Sequence, residues 1–257
     1  MQDKTSKPFI YERGVRQGCP TSPDLFNIYI DDMLDNLKGI ETPGLGYKVK
    51  GLHFADDTVI FSNTIEEMKI NLEKIEKWCD ENCMEINALK SGLMEVSLEG
   101  STSIKNIHLK YKNEIIPHVN EYKYLGVTVT PDLSIEKLAK ERIGKGKQIL
   151  GLWGKTLANG KIGLKYKSMI LKNILIPTIT YGQEIYGCNE NRVKKLKGII
   201  DSALQMIIKK KNFSRYRAYE EFGIKSIGMM AATARARGVR KWIESSRVIG
   251  DLARNPV

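Results

Sequence analysis

The stretch Val49-Lys50-Gly51-Leu52-His53-Phe54-Ala55-Asp56-Asp57-Thr58-Val59-Ile60-Phe61-Ser62 constrains the fold of this 257-residue chain more than any other. Two apolar, β-prone arms flank two adjacent carboxylates. Val59, Ile60 and Phe61 suit a buried strand, and Leu52 and Phe54 alternate with His53 on the other arm. The spacing predicts a β-hairpin with Ala55-Asp56-Asp57 at its tip. Adjacent aspartates at a tight turn repel one another unless a cation lies between them. Hard divalent ions such as Mg²⁺ take carboxylate oxygens and keep other positions for phosphates. The tip therefore reads either as half of a two-metal phosphoryl-transfer site or as an ordinary solvated turn, since Asp is a common turn residue.

The helices around the hairpin announce themselves by caps. Lys7 to Pro23 reads as a loop, with Gly14 and Gly18 allowing close approach and Arg13, Arg16 and Gln17 supplying donors. Ser22 is the expected N-cap of a helix carrying Pro23 and Asp24 in its first turn and running to about Leu37. Phe26, Tyr29, Ile30, Met33 and Leu37 share one face of it, and Asp31, Asp32 and Asp35 fall on the solvent side. Thr64 and Glu67 form a capping box opening a second helix through Met68, Leu72, Ile75, Trp78 and Cys79. Leu93 to Leu98 is an expected strand, and Glu99 to Ser103 a polar turn. Lys112-Asn113 sits between two short strands, and Tyr122 to Thr130 is β-prone with Gly126 interrupting it. Ser134 onward reads as helices: Ile135 to Trp153 (an amphipathic basic helix carrying Lys137, Lys140, Arg142, Lys145 and Lys147), an apolar run over Leu164–Gly187 kinked or broken at Pro177, Arg192–Lys211 and Met229–Ile249. The fold class is α+β, an antiparallel sheet with helices followed by a mostly helical segment.

Charge divides the chain. Met1 to Thr130 holds 15 Lys+Arg against 20 Asp+Glu, and Pro131 to Val257 holds 26 against 10. A uniform lysine bias would act on both parts alike. An aspartate-bearing part followed by a strongly basic one fits metal chemistry beside a polyanion. Trp153, Tyr166, Tyr216 and Trp242 lie among the cations and are candidates for stacking on bases, though core packing is the expected role for most of them. No window is apolar enough for a membrane span, and Met1–Lys7 lacks the apolar core of a secretory signal. Cys79 and Cys83 have no second close Cys or His pair, so the four cysteines read as reduced thiols of an intracellular protein, nuclear or cytoplasmic, rather than as a zinc site.

Arg13-Gly14-Val15-Arg16-Gln17-Gly18-Cys19-Pro20-Thr21-Ser22-Pro23-Asp24-Leu25-Phe26, followed by Phe54-Ala55-Asp56-Asp57, resembles the reverse transcriptases, above all those of non-LTR (LINE-type) retrotransposons. Lys90, Tyr124-Leu125-Gly126, Ile176-Pro177, Tyr181-Gly182 and Glu184-Ile185 extend the likeness. The resemblance implies RNA-directed DNA polymerase activity, a nucleotidyl transfer that uses Mg²⁺ or Mn²⁺. Asp56 would ligate both metals and Asp57 would support or ligate. Arg16, Gln17, Gly18 and Ala55 would line the pocket for the incoming dNTP and templating base. Lys90 would neutralise or protonate the pyrophosphate leaving group, and Tyr124, Leu125 and Gly126 would seat the primer end. It also implies a partial palm over 1–130 and a basic helical thumb and tail over 131–257, with an RNA template, a DNA primer and their duplex as partners.

The family carries a further metal-binding aspartate and the fingers ahead of the Gln-Gly loop, whereas only Asp3 precedes that loop here. The expectation is an incomplete ligand set: a truncated fragment inactive alone, a retained nucleic-acid-binding or structural ribonucleoprotein component, or one chain of a split enzyme whose partner chain supplies the fingers and first aspartate.

Overall fold

The computed structural model describes residues 14–97, 108–186 and 189–255. The expectations for Asp3, Lys7–Arg13, Glu99–Ser103 and Cys188 lie outside these residues. The chain divides into two compact units: Met1–Ser91 with His108–Pro117, and Gly92–Ile107 with His118–Val257. This division by packing runs elsewhere than the charge division at Thr130–Pro131.

In the first unit, α1 spans Ser22–Ile30. Thr21, not Ser22, occupies the N-cap position, and it makes no side-chain cap bond. Ser22 Oγ instead donates to the Arg16 carbonyl at 2.8 Å, tying the helix start to the preceding loop. The α-helix also ends earlier than expected, and Asp31–Leu34 continues as a 3-10 turn. Asp31, Asp32 and Asp35 would stand at the negative end of a longer helix with no basic residue in its last turn, which works against the helix dipole. Of the predicted apolar face, Ile30 and Leu37 are buried, Phe26 and Met33 are half-buried and Tyr29 stays exposed; Leu25 and Ile28, outside that face, are exposed as well.

The hairpin is present. β3 (Gly51–Phe54) pairs antiparallel with β4 (Asp57–Ile60) in the register Leu52↔Val59 and Phe54↔Asp57. Before it, β1 (Ile40–Glu41) pairs with β2 (Lys48–Val49). After it comes α2 (Ile65–Glu81), whose capping box closes with a shift of one residue. Glu67 N–H donates to Thr64 Oγ1 at 3.2 Å, while Glu67 Oε2 accepts from Asn63 N–H, one residue ahead of the cap, at 3.1 Å. Leu37, Ile75 and Cys79 form a small core. β5 (Leu109–Tyr111) and β6 (Glu114–Ile116) turn at Lys112-Asn113 as expected. Lys112, at φ +53°, pairs with Asp80 at 2.7 Å.

In the second unit the strand expected over 93–98 reduces, among the described residues, to a single parallel bridge between Leu93 and His118. The β-prone segment is a hairpin rather than one interrupted strand: β7 (Tyr122–Tyr124) pairs with β8 (Val127–Val129). Leu125 and Gly126 form the loop at φ +48° and +75°. Positive φ at both positions is the geometry of a two-residue type I′ turn, which matches the strand twist and favours glycine.

Helices follow: α3 (Ile135–Ala158), α4 (Leu164–Ile170), α5 (Ile176–Thr180), α6 (Gln183–Tyr186), α7 (Glu190–Ile208), α8 (Arg215–Glu221), α9 (Ile227–Ile243) and α10 (Val248–Arg254). The apolar run around Pro177 is neither straight helix nor simple break. Leu171–Leu175 widens into a π turn, with the Ile176 N–H reaching back to the Leu171 carbonyl. Pro177 has no N–H to give the preceding turn, and local widening accommodates it. The helix expected over Met229–Ile249 divides into α9 and α10, and the Arg254 guanidinium donates to the Ile243 and Ser245 carbonyls at 2.7 and 2.9 Å, satisfying groups left at the end of α9. Leu138, Leu171, Leu175, Ile179, Leu196, Ile200 and Leu204 are among the buried residues of the core between these helices.

Glycine in α3 has two different roles. A Cβ on Gly146 would lie 2.7 Å from Ile179 Cγ2 and 2.9 Å from Ile199 Cδ1, so this glycine lets α3 approach its neighbours. A Cβ on Gly144 or Gly151 would meet nothing within 4 Å. Alanine restores roughly 0.8–1 kcal/mol of helix propensity, whereas overpacking a tight core costs about 1–3 kcal/mol. Gly146→Ala is therefore expected to lower the thermal midpoint, and Gly144→Ala and Gly151→Ala to raise it. A stabilising Gly146→Ala in a melting experiment would contradict this close packing.

Candidate functional site

The acidic tip is built by the hairpin itself. Phe54↔Asp57 is the last pair of the ladder, leaving Ala55 and Asp56 as a two-residue loop. Asp57 is thus the first residue of β4 rather than part of the turn. Ala55 sits at φ +53°, a left-handed conformation that costs a residue bearing a Cβ about 1–2 kcal/mol. Glycine would adopt it freely, so strain is retained beside the carboxylates, a pattern that clusters at functional sites. Asp56 and Asp57 are both exposed. Directly paired residues share a sheet face, so Phe54, exposed at 61%, stands on the same face as Asp57, with Leu52 and Val59 behind them. On the other face, His53 Nδ1 and Thr58 Oγ1 are hydrogen-bonded at 2.8 Å. Burial lowers the His53 pKa, against an opposing pull from the Asp31 carboxylate.

The loop ahead of α1 is a pair of consecutive turns. Cys19 N–H donates to the Arg16 carbonyl at 3.3 Å and Ser22 N–H to the Cys19 carbonyl at 3.2 Å. Gly18, third in the first turn, lies at φ +80°, the position where a type II turn calls for glycine. Space does not demand it, since a Cβ there would touch nothing within 4 Å. Arg16, Gln17 and Gly18 are exposed. Beside them the Thr21 hydroxyl, 3.2 Å from Cys19 Sγ, lowers the thiol's pKa, helped by the Thr21 backbone and by Ser22.

Lys90 ends the 3-10 turn Ala88–Lys90 and is exposed. Asn87 fixes that turn by accepting from the Lys90 N–H at 3.0 Å. Arg16–Gly18, Ala55–Asp57 and Lys90 all belong to the first unit, and Tyr124–Gly126 to the second. Among the described residues no group of three or more His, Cys, Asp or Glu is placed to hold a metal ion.

The Tyr124–Gly126 segment turns out to be the tip of the β7–β8 hairpin, and two helical residues grip it. Arg142 Nη2 donates to the Gly126 carbonyl at 2.7 Å, and Tyr181 Oη donates to the Leu125 carbonyl at 2.9 Å. The Arg142 guanidinium lies 4.6 Å from the centre of the Tyr181 ring. Arg142 counts among the cations of the amphipathic basic helix read from the sequence, yet it is 3% exposed. Its spacing held the signal, for Arg142 lies four residues from both Leu138 and Gly146, which are buried on α3. The Lys145 pKa is lowered, first by burial and then by the Arg142 and Lys123 cations, so positive charge crowds this hairpin.

The basic residues elsewhere in this unit divide by environment. Acidic partners hold Lys137 (Glu121), Arg192 (Glu136), Arg215 (Asp201) and Arg254 (Asp251). Lys140, Lys147, Lys194, Lys195, Arg235 and Arg237 are exposed. Of the aromatic candidates, Trp153 packs on the core and Trp242 is half-buried, whereas Tyr166 and Tyr216 are 64% and 73% exposed.

The family of reverse transcriptases (RNA-dependent DNA polymerases) matches residues 1–129, half of the chain and the segment holding the turn pair, the acidic tip and Lys90. The chain belongs to this family. It is similar to the Pol polyprotein of the type-1 retrotransposable element R2 of Popillia japonica, 27% identical over 180 residues that cover 66% of this chain and 24% of the relative. The type-2 element R2DM of Drosophila melanogaster is 27% identical over 184 residues, 68% of this chain and 17% of the relative. The RNA-directed DNA polymerase of the mobile element jockey, also of Drosophila melanogaster, is 24% identical over 188 residues, 68% of this chain and 19% of the relative. These relatives make it a LINE-type, non-LTR reverse transcriptase segment. The chain spans a quarter or less of the length of each of them. Their matches run past residue 129 into the helical part, since each covers about two thirds of the chain. Among the described residues of this reverse transcriptase segment, no helix is long and apolar enough to cross a membrane.

Proposed function

We propose that this chain forms the palm and thumb portion of a LINE-type reverse transcriptase, with residues 1–130 serving as partial palm and 131–257 as basic thumb and tail. The supporting observation is the strained, exposed Ala55–Asp57 tip within the segment that the family matches. Its two carboxylates fit Mg²⁺ or Mn²⁺ as hard oxygen donors, and as part of a ligand set only. A bound pair of such ions supplies charge stabilisation to the attacking and leaving oxygens in phosphoryl transfer. Asp56 and Asp57 would hold the metals from one side. Gln17 and Gly18, in a turn that brings backbone to the surface, would line the dNTP pocket beside Arg16 and Ala55. Lys90 would meet the pyrophosphate with positive charge, and Tyr124–Gly126 would seat the primer end.

Two-metal catalysis needs carboxylates on both sides of the ions, and the tip supplies one side. The 257-residue polypeptide by itself is therefore expected to give no primer extension on an RNA template with either Mg²⁺ or Mn²⁺. Extension should appear only when a segment carrying a further metal-binding carboxylate is supplied, whether in the same polypeptide or a second one, and should vanish with Asp56→Ala. Robust, Asp56-dependent extension by the single chain would overturn the incomplete-site reading. A second reading, a nucleic-acid-binding or structural ribonucleoprotein component, is favoured by the exposed Tyr166 and Tyr216 among exposed cations.

A further inference from the structure

A two-residue hairpin loop leaves its own carbonyls outside the strand ladder. Backbone carbonyls usually find partners, and at a surface loop water suffices. Here protein takes both. The Leu125 carbonyl accepts from Tyr181 Oη at 2.9 Å and the Gly126 carbonyl from Arg142 Nη2 at 2.7 Å. The donors touch each other as well, with the guanidinium 4.6 Å from the ring centre. Gly126 closes the cluster: a Cβ there would lie 3.5 Å from Tyr181 Cε1, so the ring lies against the loop backbone. Arg142 comes from the middle of α3, and Tyr181 is the first residue past α5.

We infer that Arg142 and Tyr181 are positioning residues that fix the Leu125–Gly126 turn on the helical unit, so that the exposed Leu125 meets a nucleic-acid strand in one register. The inference rests on the reading of Tyr124–Gly126 as the seat of the primer end. A desolvated guanidinium is an expensive way to anchor a loop, and an apolar side chain would serve α3 packing at less cost. Its planar donors and stacking face hold a carbonyl and a ring at once, which a lysine cannot do. Because α3 also carries the exposed Lys140 and Lys147, the pinned turn and that basic row move as one body. Neither Arg142 nor Tyr181 needs to touch the nucleic acid.

The test uses the full chain and its Tyr181→Phe and Arg142→Lys variants. Tyr181→Phe keeps the ring and loses one hydrogen bond, so it remains informative if the buried arginine variant fails to fold. Amide exchange at Leu125–Val127 is measured by mass spectrometry. Binding is measured to an RNA–DNA duplex with a recessed DNA 3′ end and to the same duplex with blunt ends. Loss of one hydrogen bond is expected to speed exchange at the turn, and to cut the preference for the recessed end, by about 10-fold. The salt slope of binding should not change, because no phosphate contact is removed. Ile207→Val, a buried change on α7, lowers stability without touching the turn and should leave both readouts as they are. Unchanged exchange and end preference in both variants would overturn the inference, as would losses that merely track stability as in Ile207→Val. Exchange that responds in a chain showing no end preference at all would uphold the clamp and remove the primer-seat reading.

Discussion

Affinity for single-stranded RNA is expected to fall roughly 100-fold between 50 and 200 mM salt. Each phosphate neutralised on a single strand contributes a slope of about −0.7, so about five contacts give about −3.5, and a fourfold rise in salt then costs about two decades. Exposed cations such as Lys140, Lys147, Lys194 and Lys195 exceed what the neighbouring carboxylates neutralise, since the chain from Pro131 onward holds 26 Lys+Arg against 10 Asp+Glu. Surface ion pairs such as Arg240–Glu244 add little stability and leave the field largely in place. Fluorescence anisotropy at several salt concentrations measures the slope. Lys140→Gln and Lys147→Gln should each flatten it by about 0.7, while Lys69→Gln and Lys77→Gln in the other unit should leave it alone. Binding indifferent to salt, or equal flattening by all four changes, would remove the basic helices from the nucleic-acid interface.

Leu204→Ala is expected to destabilise the helical unit by about 2–5 kcal/mol, the largest stability effect anticipated for a single change here. Leu204 is 0% exposed and belongs to a core that also buries Leu171, Leu175, Ile179, Leu196 and Ile200. Helices on several sides restrict collapse into the cavity, which favours the upper part of that range. For a unit of this size a loss of 1 kcal/mol moves the thermal midpoint by roughly 2–4 °C, so a shift on the order of 10 °C should be seen. The first unit is expected to be the weaker. Among its described residues Leu37, Ile75 and Cys79 form one core cluster ringed by half-buried side chains, with Leu72, Leu109, Tyr111 and Ile116 also buried, while Leu52 and Phe54 of its acidic hairpin remain exposed. Local stability follows buried apolar contact, so amides of α2 and β3–β4 should exchange before those of α3 and α7. Equal protection in the two units, or a Leu204→Ala protein melting within a degree or two of the wild type, would contradict this.

Local chemistry determined much of this protein. The acid pair between β-prone arms encoded the β3–β4 hairpin, because period-two alternation and a short polar loop leave few other folds for fourteen residues. Thr64 and Glu67 encoded the start of α2, and Lys112-Asn113 the β5–β6 turn, for the same reason: cap and turn signals act within a few residues. The loop-and-aspartate strings at Arg13–Phe26 and Phe54–Asp57 carried the family, which the match over residues 1–129 shows.

Three aspartates past Ile30 work against a longer α1 through the helix dipole, again a local signal, although the apolar spacing runs on to Leu37. Only tertiary structure decided which glycines lie at close contacts and which charges sink. The chain ahead of Pro177 widened into a π turn over Leu171–Leu175, with Leu171, Leu175, Ile176 and Ile179 buried around it, where the sequence by itself leaves kink and break open. Gly146 and Gly151 read alike in sequence, yet one is a close-packing point between helices and the other faces open space. Arg142 read as one more cation of an amphipathic basic helix. Its burial against Tyr181, 39 positions further along the chain, and its bond to the Gly126 carbonyl depend on how α3, the end of α5 and the β7–β8 turn come together. Periodicity reports which side of one helix is covered, and it carries no information about which distant backbone carbonyl awaits a donor there.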